Sequence, residues 1–519
     1  MKSLGLAVVL VSMLASSTLA GIPCNRRQFN HDSIVCVCDS NSCDTLGPLN
    51  RTQEGVVQIF ESTRAGKRFE YREQRFNDGV NPPGNQWDMT LDPSWTFQEI
   101  LGFGGAFSDA ATLGMGSLSD KVKMDALRSY YSPDGIEYSL GRVVISGSDF
   151  SNRGYSYNDN HPDDWDHVNF AFVGEDIDYK IPQIKLAKEM TSVPIKFFAS
   201  SWSPPAWMKA NGELNHGSTL WDAPGSRTWK SYAKYLSKFF EGYRKEGIEW
   251  WGMTVQNEPA IWDPWFPWNT CGMDPAVERE FVKVDLSPEL ERLGYTPETF
   301  KVLVLDHNRN LLPGWTDVSF ADNQANRWIA GTGVHWYGND VSSVTAYDNL
   351  HGKYPDKMIL ATEACHSGPE NDRIALGSWT IGEMYAHDII ADITHWVVGW
   401  TDWNLALDMQ GGPNWANNGQ SAPIIVNAAA NEFYKNPSYY AMGHFSKFLP
   451  PQSKRIRTIP EYVANEKFDA GAFSRPDGGV VVIAINSHDD NQVLNINHPQ
   501  RGLVKVNVEP HSFNSVLIY

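Results

Sequence analysis

Two stretches of this chain run as apolar strands that end on a glutamate. In Met253-Thr254-Val255-Gln256-Asn257-Glu258-Pro259, Met253 and Val255 alternate with polar neighbours, as in a half-buried strand. Pro259 cannot donate to a ladder and stops the strand. Met358-Ile359-Leu360-Ala361-Thr362-Glu363 repeats the design, with Cys365, Ser367, Gly368 and Pro369 opening the loop beyond. A carboxylate at the carboxyl end of a strand is where an α/β barrel keeps its chemistry. The two acids stand far apart in sequence, so only a fold that closes on itself could bring them face to face. Two carboxylates flanking one bond can cleave a glycoside: one protonates the leaving oxygen, the other attacks or activates water. Either glutamate alone reads as a solvated strand-end charge; their matched settings and the aromatic supply nearby favour chemistry. A pair roughly 5–5.5 Å apart would retain anomeric configuration, and one roughly 6.5–9.5 Å apart would invert it. On this reading burial and mutual repulsion raise the pKa of one acid, while neighbouring hydrogen bonds keep the other charged.

The elements that must position these acids form a regular series. Strand patterns occur at Glu99–Gly105, Leu140–Ile145, Ile195–Ala199, Gly252–Gln256, Lys301–Leu305, Gly333–Tyr337, Met358–Thr362 and Val397–Trp400. Helix-like stretches such as Lys180–Met190 and Thr228–Lys245 lie between them. Eight alternating units predict an α/β fold, a (β/α)₈ TIM barrel over residues 96–451. Glu258 then ends strand four and Glu363 strand seven. Residues 49–95 and 452–519 are strand-rich and should pair as one discontinuous β-sandwich. Other strand ends carry Ser108-Asp109, Ser148-Asp149-Phe150, Ser200-Ser201-Trp202, His335-Trp336-Tyr337 and Thr401-Asp402-Trp403-Asn404. A sugar presents hydroxyls around its rim and C–H groups on its faces, so carboxylates and amides beside aromatic plates suit it.

A chain of 519 residues, 42% apolar and 20% charged, is of globular composition. Its net charge of −18 excludes nucleic acid as a partner, because phosphate binding needs clustered Lys and Arg. Lys2, the apolar run Leu4–Val11 and Leu19-Ala20 form the plan of a secretory signal peptide over residues 1–20. Cys24, Cys36, Cys38 and Cys43 crowd residues 21–48, a disulfide-bearing β region. Two disulfides are expected in an oxidising compartment; a zinc site competes, but paired C-x-x-C knuckles are lacking and only His31 is near. Cys271 and Cys365 are expected as free thiols. Asn50-Arg51-Thr52 is a glycosylation sequon. Nothing calls for a metal or cofactor; there is no G-x-S-x-G elbow and no H-E-x-x-H.

The finer wording carries a resemblance. Asn257-Glu258-Pro259 after strand four and a glutamate after strand seven mark the clan A retaining glycosidases. Gly102-Phe103-Gly104-Gly105-Ala106-Phe107-Ser108-Asp109, Trp202-Ser203-Pro204-Pro205-Ala206-Trp207-Met208-Lys209, Val334-His335-Trp336-Tyr337, Glu363-Ala364-Cys365 and Gly399-Trp400-Thr401-Asp402-Trp403-Asn404-Leu405-Ala406-Leu407 look like those of the acid β-glucosidases, or glucosylceramidases. The resemblance runs from the cysteine cluster to Tyr519. It implies hydrolysis of glucosylceramide in sphingolipid catabolism, with Glu258 as acid/base and Glu363 as nucleophile. Asp149, Trp202, Asn257, Trp403 and Asn418 would hold the glucose, and His335, Tyr337 and Arg142 would flank the carboxylates and tune them. It further implies Cys24–Cys36 and Cys38–Cys43 pairing, a lysosomal setting, a saposin-type activator and peripheral contact with an anionic lipid membrane. Protonation of the fourteen histidines at lysosomal pH would weaken repulsion from such lipid. Asp109 lies in a family motif but is not expected to touch sugar. Gln256 stands where relatives often carry glutamate, and the loops at Trp262–Trp268, Gly338–Lys353 and His366–Arg373 depart in wording. A clan A enzyme acting on another β-linked sugar (xylan or β-1,6-glucan) and a catalytically silent sugar- or lipid-binding relative are the alternatives.

Overall fold

The computed structural model describes residues 21–465 and 467–519; the leader expected over residues 1–20 lies outside the described residues. Eight parallel strands close into a barrel: Gly102–Phe107, Leu140–Ile145, Lys196–Ser201, Gly252–Thr254, Lys301–Asn308, Ile329–His335, Met358–Glu363 and Val397–Asn404. These are the eight expected strands, with shifted ends. Strand four stops at Thr254 because the chain then turns: the Asn257 amide donates to the Ser201 carbonyl, and the Gln256 side chain donates to the carbonyls of Trp202 and Asn257. Strand six starts four residues earlier than its sequence pattern. Gly331 reads as a break, yet it marks close approach, since a Cβ there would meet the Met358 carbonyl oxygen at 2.1 Å.

Helices ring the barrel. Arg227–Lys245 buries Trp229, Tyr232, Leu236, Phe239, Phe240 and Tyr243, a three- and four-residue spacing that sets one apolar stripe against the strands. Losing one such aromatic ring would cost about 3–5 kcal/mol.

A ten-stranded sheet system forms the sandwich. Val56–Thr63 pairs antiparallel with Ser512–Ile518, which pairs with Val480–Asn486. Sequence-distant segments thus share one core, with Ile59, Val482, Val506 and Val516 in it. The helix Trp379–Thr394 packs against sandwich strands, and His387–Asp469 (2.5 Å) and His511–Glu383 (2.7 Å) join them.

The amino-terminal region is not self-contained. Cys24–Cys36 and Cys38–Cys43 are bonded, and Cys271 and Cys365 are buried free thiols. Strand Ile34–Cys38 pairs with Glu432–Lys435, and the sheet continues through Ile424–Asn427 to Ala406–Asp408, in the segment that leaves barrel strand eight. Lys435 clasps Asp44 across this seam at 3.1 Å. Asn50 of the sequon is exposed. Among the described residues no helix is long and apolar enough to cross a membrane.

Candidate active site

Glu363 is the last residue of strand seven, and Glu258 lies just beyond strand four at the same rim. Glu258 adopts a left-handed backbone (φ 47°), costly for a residue with a Cβ. Its amide is held by the carbonyl of Asp306 at 3.0 Å. One oxygen from each glutamate and one nitrogen of His335 all lie within 4.8 Å of one another. The closed barrel has brought the two acids together.

Beneath them runs a buried polar network. Arg142, on strand two, donates to Glu363, to Asn257 Oδ1 at 2.8 Å, to Asp306 Oδ2 at 2.9 Å and to Ser200 Oγ at 3.1 Å. Tyr337 donates its hydroxyl to Glu363 Oε1 at 2.8 Å. His335 sets Nδ1 3.4 Å from Glu258 Oε1 and 3.9 Å from Glu363 Oε1, with Nε2 3.1 Å from Asp306 Oδ1. Burial would push His335 down, but Glu363, Asp306 and Glu258 together raise it to about 9. Burial would likewise push Asp306 up, but the charges of Arg142 and His335 and hydrogen bonds from His335 and Thr254 hold it well below the usual carboxylate range.

Asp306 is the residue that sequence reading passed over. It lies two residues before the end of strand five and closes the run Lys301-Val302-Leu303-Val304-Leu305-Asp306, the same apolar-then-acid wording as the other two. Leu305 pairs with Gly333 and His307 with Val334, so Asp306 is the extra residue of a bulge. Leu305 and Asp306 both have positive φ, 70° and 47°. The bulge aims the carboxylate inward.

Glu258 departs from expectation. Burial pushes it up, but the hydrogen bond from His335 and the charges of His307 and His335 outweigh that, and the net direction is down. His335 is expected beside the carboxylates from the resemblance and His307 is not; together the two imidazoles reverse the expected sign.

Above the network opens a cavity of about 330 Å³, lined by Asp149, Trp202, Asn257, Glu258, Tyr337, Glu363, Trp403 and Asn418 among others. Trp202 and Trp403 stack with centroids 4.9 Å apart, and the Arg142 guanidinium lies over both rings. Asp149 accepts from Asn418 Nδ2 at 2.7 Å. Its burial, opposed by that bond and helped by the charges of Glu363 and Glu258, raises it to about 7. The amide oxygens of Asn418 and Asn308 are buried with no hydrogen-bond partner among the described residues, two acceptors at the cavity wall. Ile261, Phe266 and Trp268 form the outer wall, and Trp262 and Trp265 next to them are exposed.

Of the residues singled out from sequence, His335 and Arg142 do not line the cavity; both are buried behind the carboxylates. Asp109 is also buried, held by Ser151 (2.6 Å), Tyr155 (2.8 Å) and the Lys180 ammonium (3.1 Å). Gln256 is enclosed, its amide oxygen accepting from Tyr232 at 3.3 Å.

Residues 100–449 match the Glycosyl hydrolase family 30 TIM-barrel domain, and residues 452–516 match the Glycosyl hydrolase family 30 beta sandwich domain. The chain belongs to glycosyl hydrolase family 30. A Caenorhabditis elegans relative is 39% identical over 98% of this chain and 97% of its own length. The lysosomal acid glucosylceramidase of Mus musculus is 38% identical over 95% of each chain. Among solved structures, SrfJ from Salmonella typhimurium superposes with a TM-score of 0.80 at 27% identity, covering 89% of this chain and 99% of its own. As a family 30 member the protein is a glycosidase, with a TIM barrel, a β-sandwich and amino-terminal disulfides.

Proposed function

We propose that this family 30 glycosidase is a retaining β-glucosidase that cleaves glucosylceramide to glucose and ceramide. The observation that carries the retaining reading is the carboxylate pair, with oxygens within 4.8 Å. That is compatible with the roughly 5–5.5 Å between the carboxyl groups of a retaining site. Glu363 attacks the anomeric carbon, forming a glucosyl-enzyme as the bond to the leaving oxygen breaks. Arg142 and Tyr337 orient it for that attack. The leaving oxygen takes its proton from the Glu258 side of the site, where His335 Nδ1 stands 3.4 Å from Oε1 and can pass a proton to it. Glu258 delivers it. Water then enters, gives its proton to Glu258 and releases glucose with its configuration kept. Trp202 and Trp403 cover the apolar face of the sugar, while Asp149, Asn257 and Asn418 take its hydroxyls.

The lipid aglycone is supported by the likeness to the mouse lysosomal enzyme and by the apolar outer wall at Ile261, Phe266 and Trp268. On the same reading the protein is a lysosomal glycoprotein, modified at Asn50 after removal of residues 1–20. It works on the lumenal face of an anionic membrane with a saposin-type activator. The charge argument for docking is smaller than composition implies, because burial holds His167 at about 4 and His444 at about 3. Both stay neutral at mildly acidic pH.

The test is direct. Glucosylceramide, glucosylsphingosine and a steryl glucoside are assayed at acidic pH beside xylan and β-1,6-glucan, and the anomer first released is read by proton NMR. Release of β-glucose with preference for the ceramide glycoside is expected. α-Glucose, or preference for either polysaccharide, overturns the proposal.

A further inference from the structure

One buried acid takes no part in the chemistry above. Glu278 lies on the helix Pro275–Phe281, wholly removed from solvent, with no cationic partner among the described residues. Its carboxyl oxygens accept from the Leu305 amide at 3.2 and 3.3 Å and from Trp315 Nε1 at 2.7 Å. A glutamate spent on one backbone amide and one indole would be a poor choice for packing alone. Leucine fills similar space without the desolvation cost of a carboxyl group.

The location of that amide explains the choice. Strand four pairs with strand five only up to Thr254 opposite Leu303, with the Val255 amide closing on the Leu303 carbonyl. The chain then turns away toward Glu258, so the Leu305 amide goes to Glu278 instead of a strand. Leu305 is the first of the two left-handed residues of the bulge. The second, Asp306, reaches both site glutamates by three routes. Its carbonyl takes the Glu258 amide at 3.0 Å; its carboxylate holds Arg142, which donates to Glu363; and it holds His335, which faces both acids. Bond for bond, the path from Glu278 to either carboxylate is short and buried.

We propose that Glu278 is a positioning residue for the two site glutamates, acting by fixing the Leu305–Asp306 bulge. This rests on the assignment of Glu258 and Glu363 as the reacting pair. Burial, opposed by the bonds from Trp315 and Leu305, raises Glu278 to about 8. Below that pH it is a neutral acid, and glutamine is its close isostere.

The experiment measures kcat and KM on an aryl β-glucoside across pH for Glu278→Ala, Glu278→Gln, Asp306→Asn and the double variant Glu278→Ala/Asp306→Asn, with melting temperatures. Glu278→Ala is expected to lower kcat by roughly 10- to 100-fold, with KM within about threefold of the parent. Its basic limb of kcat/KM should move to lower pH, as in Asp306→Asn. Glu278→Gln restores most of kcat, and the double variant loses clearly less than the product of the two single losses. Wild-type kcat and pH profile in Glu278→Ala, multiplied losses in the double variant, or a glutamine variant as slow as the alanine one would each overturn the proposal. Should Glu278→Ala not fold, Trp315→Phe removes one donor to the same carboxyl. A smaller loss with the same limb shift is then expected, and an unchanged profile is the overturning result. Glu363→Gln is run alongside: turnover there sinks the site assignment itself, whereas a silent Glu363→Gln beside a normal Glu278→Ala sinks only this inference.

Discussion

Glu363 and Glu258 face one cavity from strand ends of similar wording, yet different kinds of group hold them. Glu363 is hydrogen-bonded by a guanidinium, charged at any working pH, and by a tyrosine hydroxyl, with His335 farther off at 3.9 Å. Glu258 meets two imidazoles, His335 at 3.4 Å and His307 at 4.0 Å. Exposure hardly separates the two carboxylates: the side chains are 7% and 15% accessible. Neighbour chemistry does separate them. A carboxylate hydrogen-bonded by a permanent cation suits a nucleophile, and one hydrogen-bonded by an imidazole suits a group that must gain and lose a proton.

The hardest blow to this comparison is Glu363→Gln. It should cut kcat on an aryl β-glucoside by on the order of 10⁴-fold or more with little change in melting temperature; near-normal turnover would remove the contrast entirely. Glu258→Gln should cost less, about 10²- to 10⁴-fold. The loss should shrink for a glucoside whose leaving group needs no proton, such as a dinitrophenolate. An equal loss on good and poor leaving groups would deny Glu258 the acid role. Asp306→Asn sharpens the distinction further. It removes one of the carboxylates that raise His335, so the basic limb of kcat/KM should fall to lower pH, with kcat down by roughly tenfold. A limb that stays in place would mean that His335 does not govern the strand-four side.

The smallest expected effect is on stability. His335, raised to about 9, adds stability that is fully present below the ordinary histidine value and is lost as pH rises through 9. Asp149, Asp402 and Glu278, raised by burial to about 7, 8 and 8, stay protonated when folded but ionise earlier when unfolded, so they too lose stability with rising pH. His167 and His444 run the other way, since they are kept neutral and cost stability only as pH falls below the ordinary histidine value toward 4 and 3. Among the shifted groups the raised carboxyls, Asp176, Asp388 and Asp392 included, outnumber the lowered imidazoles, His307, His351, His395 and His498 included, so the melting temperature should be higher at pH 5 than at pH 8. A calorimetric scan at the two values checks the sign.

What could be read in the chain, and what could not, divides along the same strands. The runs ending at Glu258 and Glu363, the barrel repeat and the pairing of the residue-60 strand with the carboxyl-terminal strands were all legible. Each is written as local alternation of apolar and polar residues, or as a break by proline. Lys301–Asp306 has that wording as well, but Asp306 went unread because its inward aim comes from a bulge, and a bulge leaves no periodic trace. The sheet joining Ile34–Cys38 to Glu432–Lys435 was equally invisible, since pairing partners across the whole chain are chosen by the closed barrel between them.

By itself, then, the amino-acid order determined which residues could do acid chemistry and which strands would carry them, because side-chain type and period are local properties. Only the tertiary structure decided that His307 joins His335 beside Glu258 and that the two turn its pKa downward. It alone put Asp306 under both acids and Glu278 behind the bulge. Those outcomes depend on distances of a few ångströms between strands remote in sequence, and electrostatics and hydrogen bonds are set at that range.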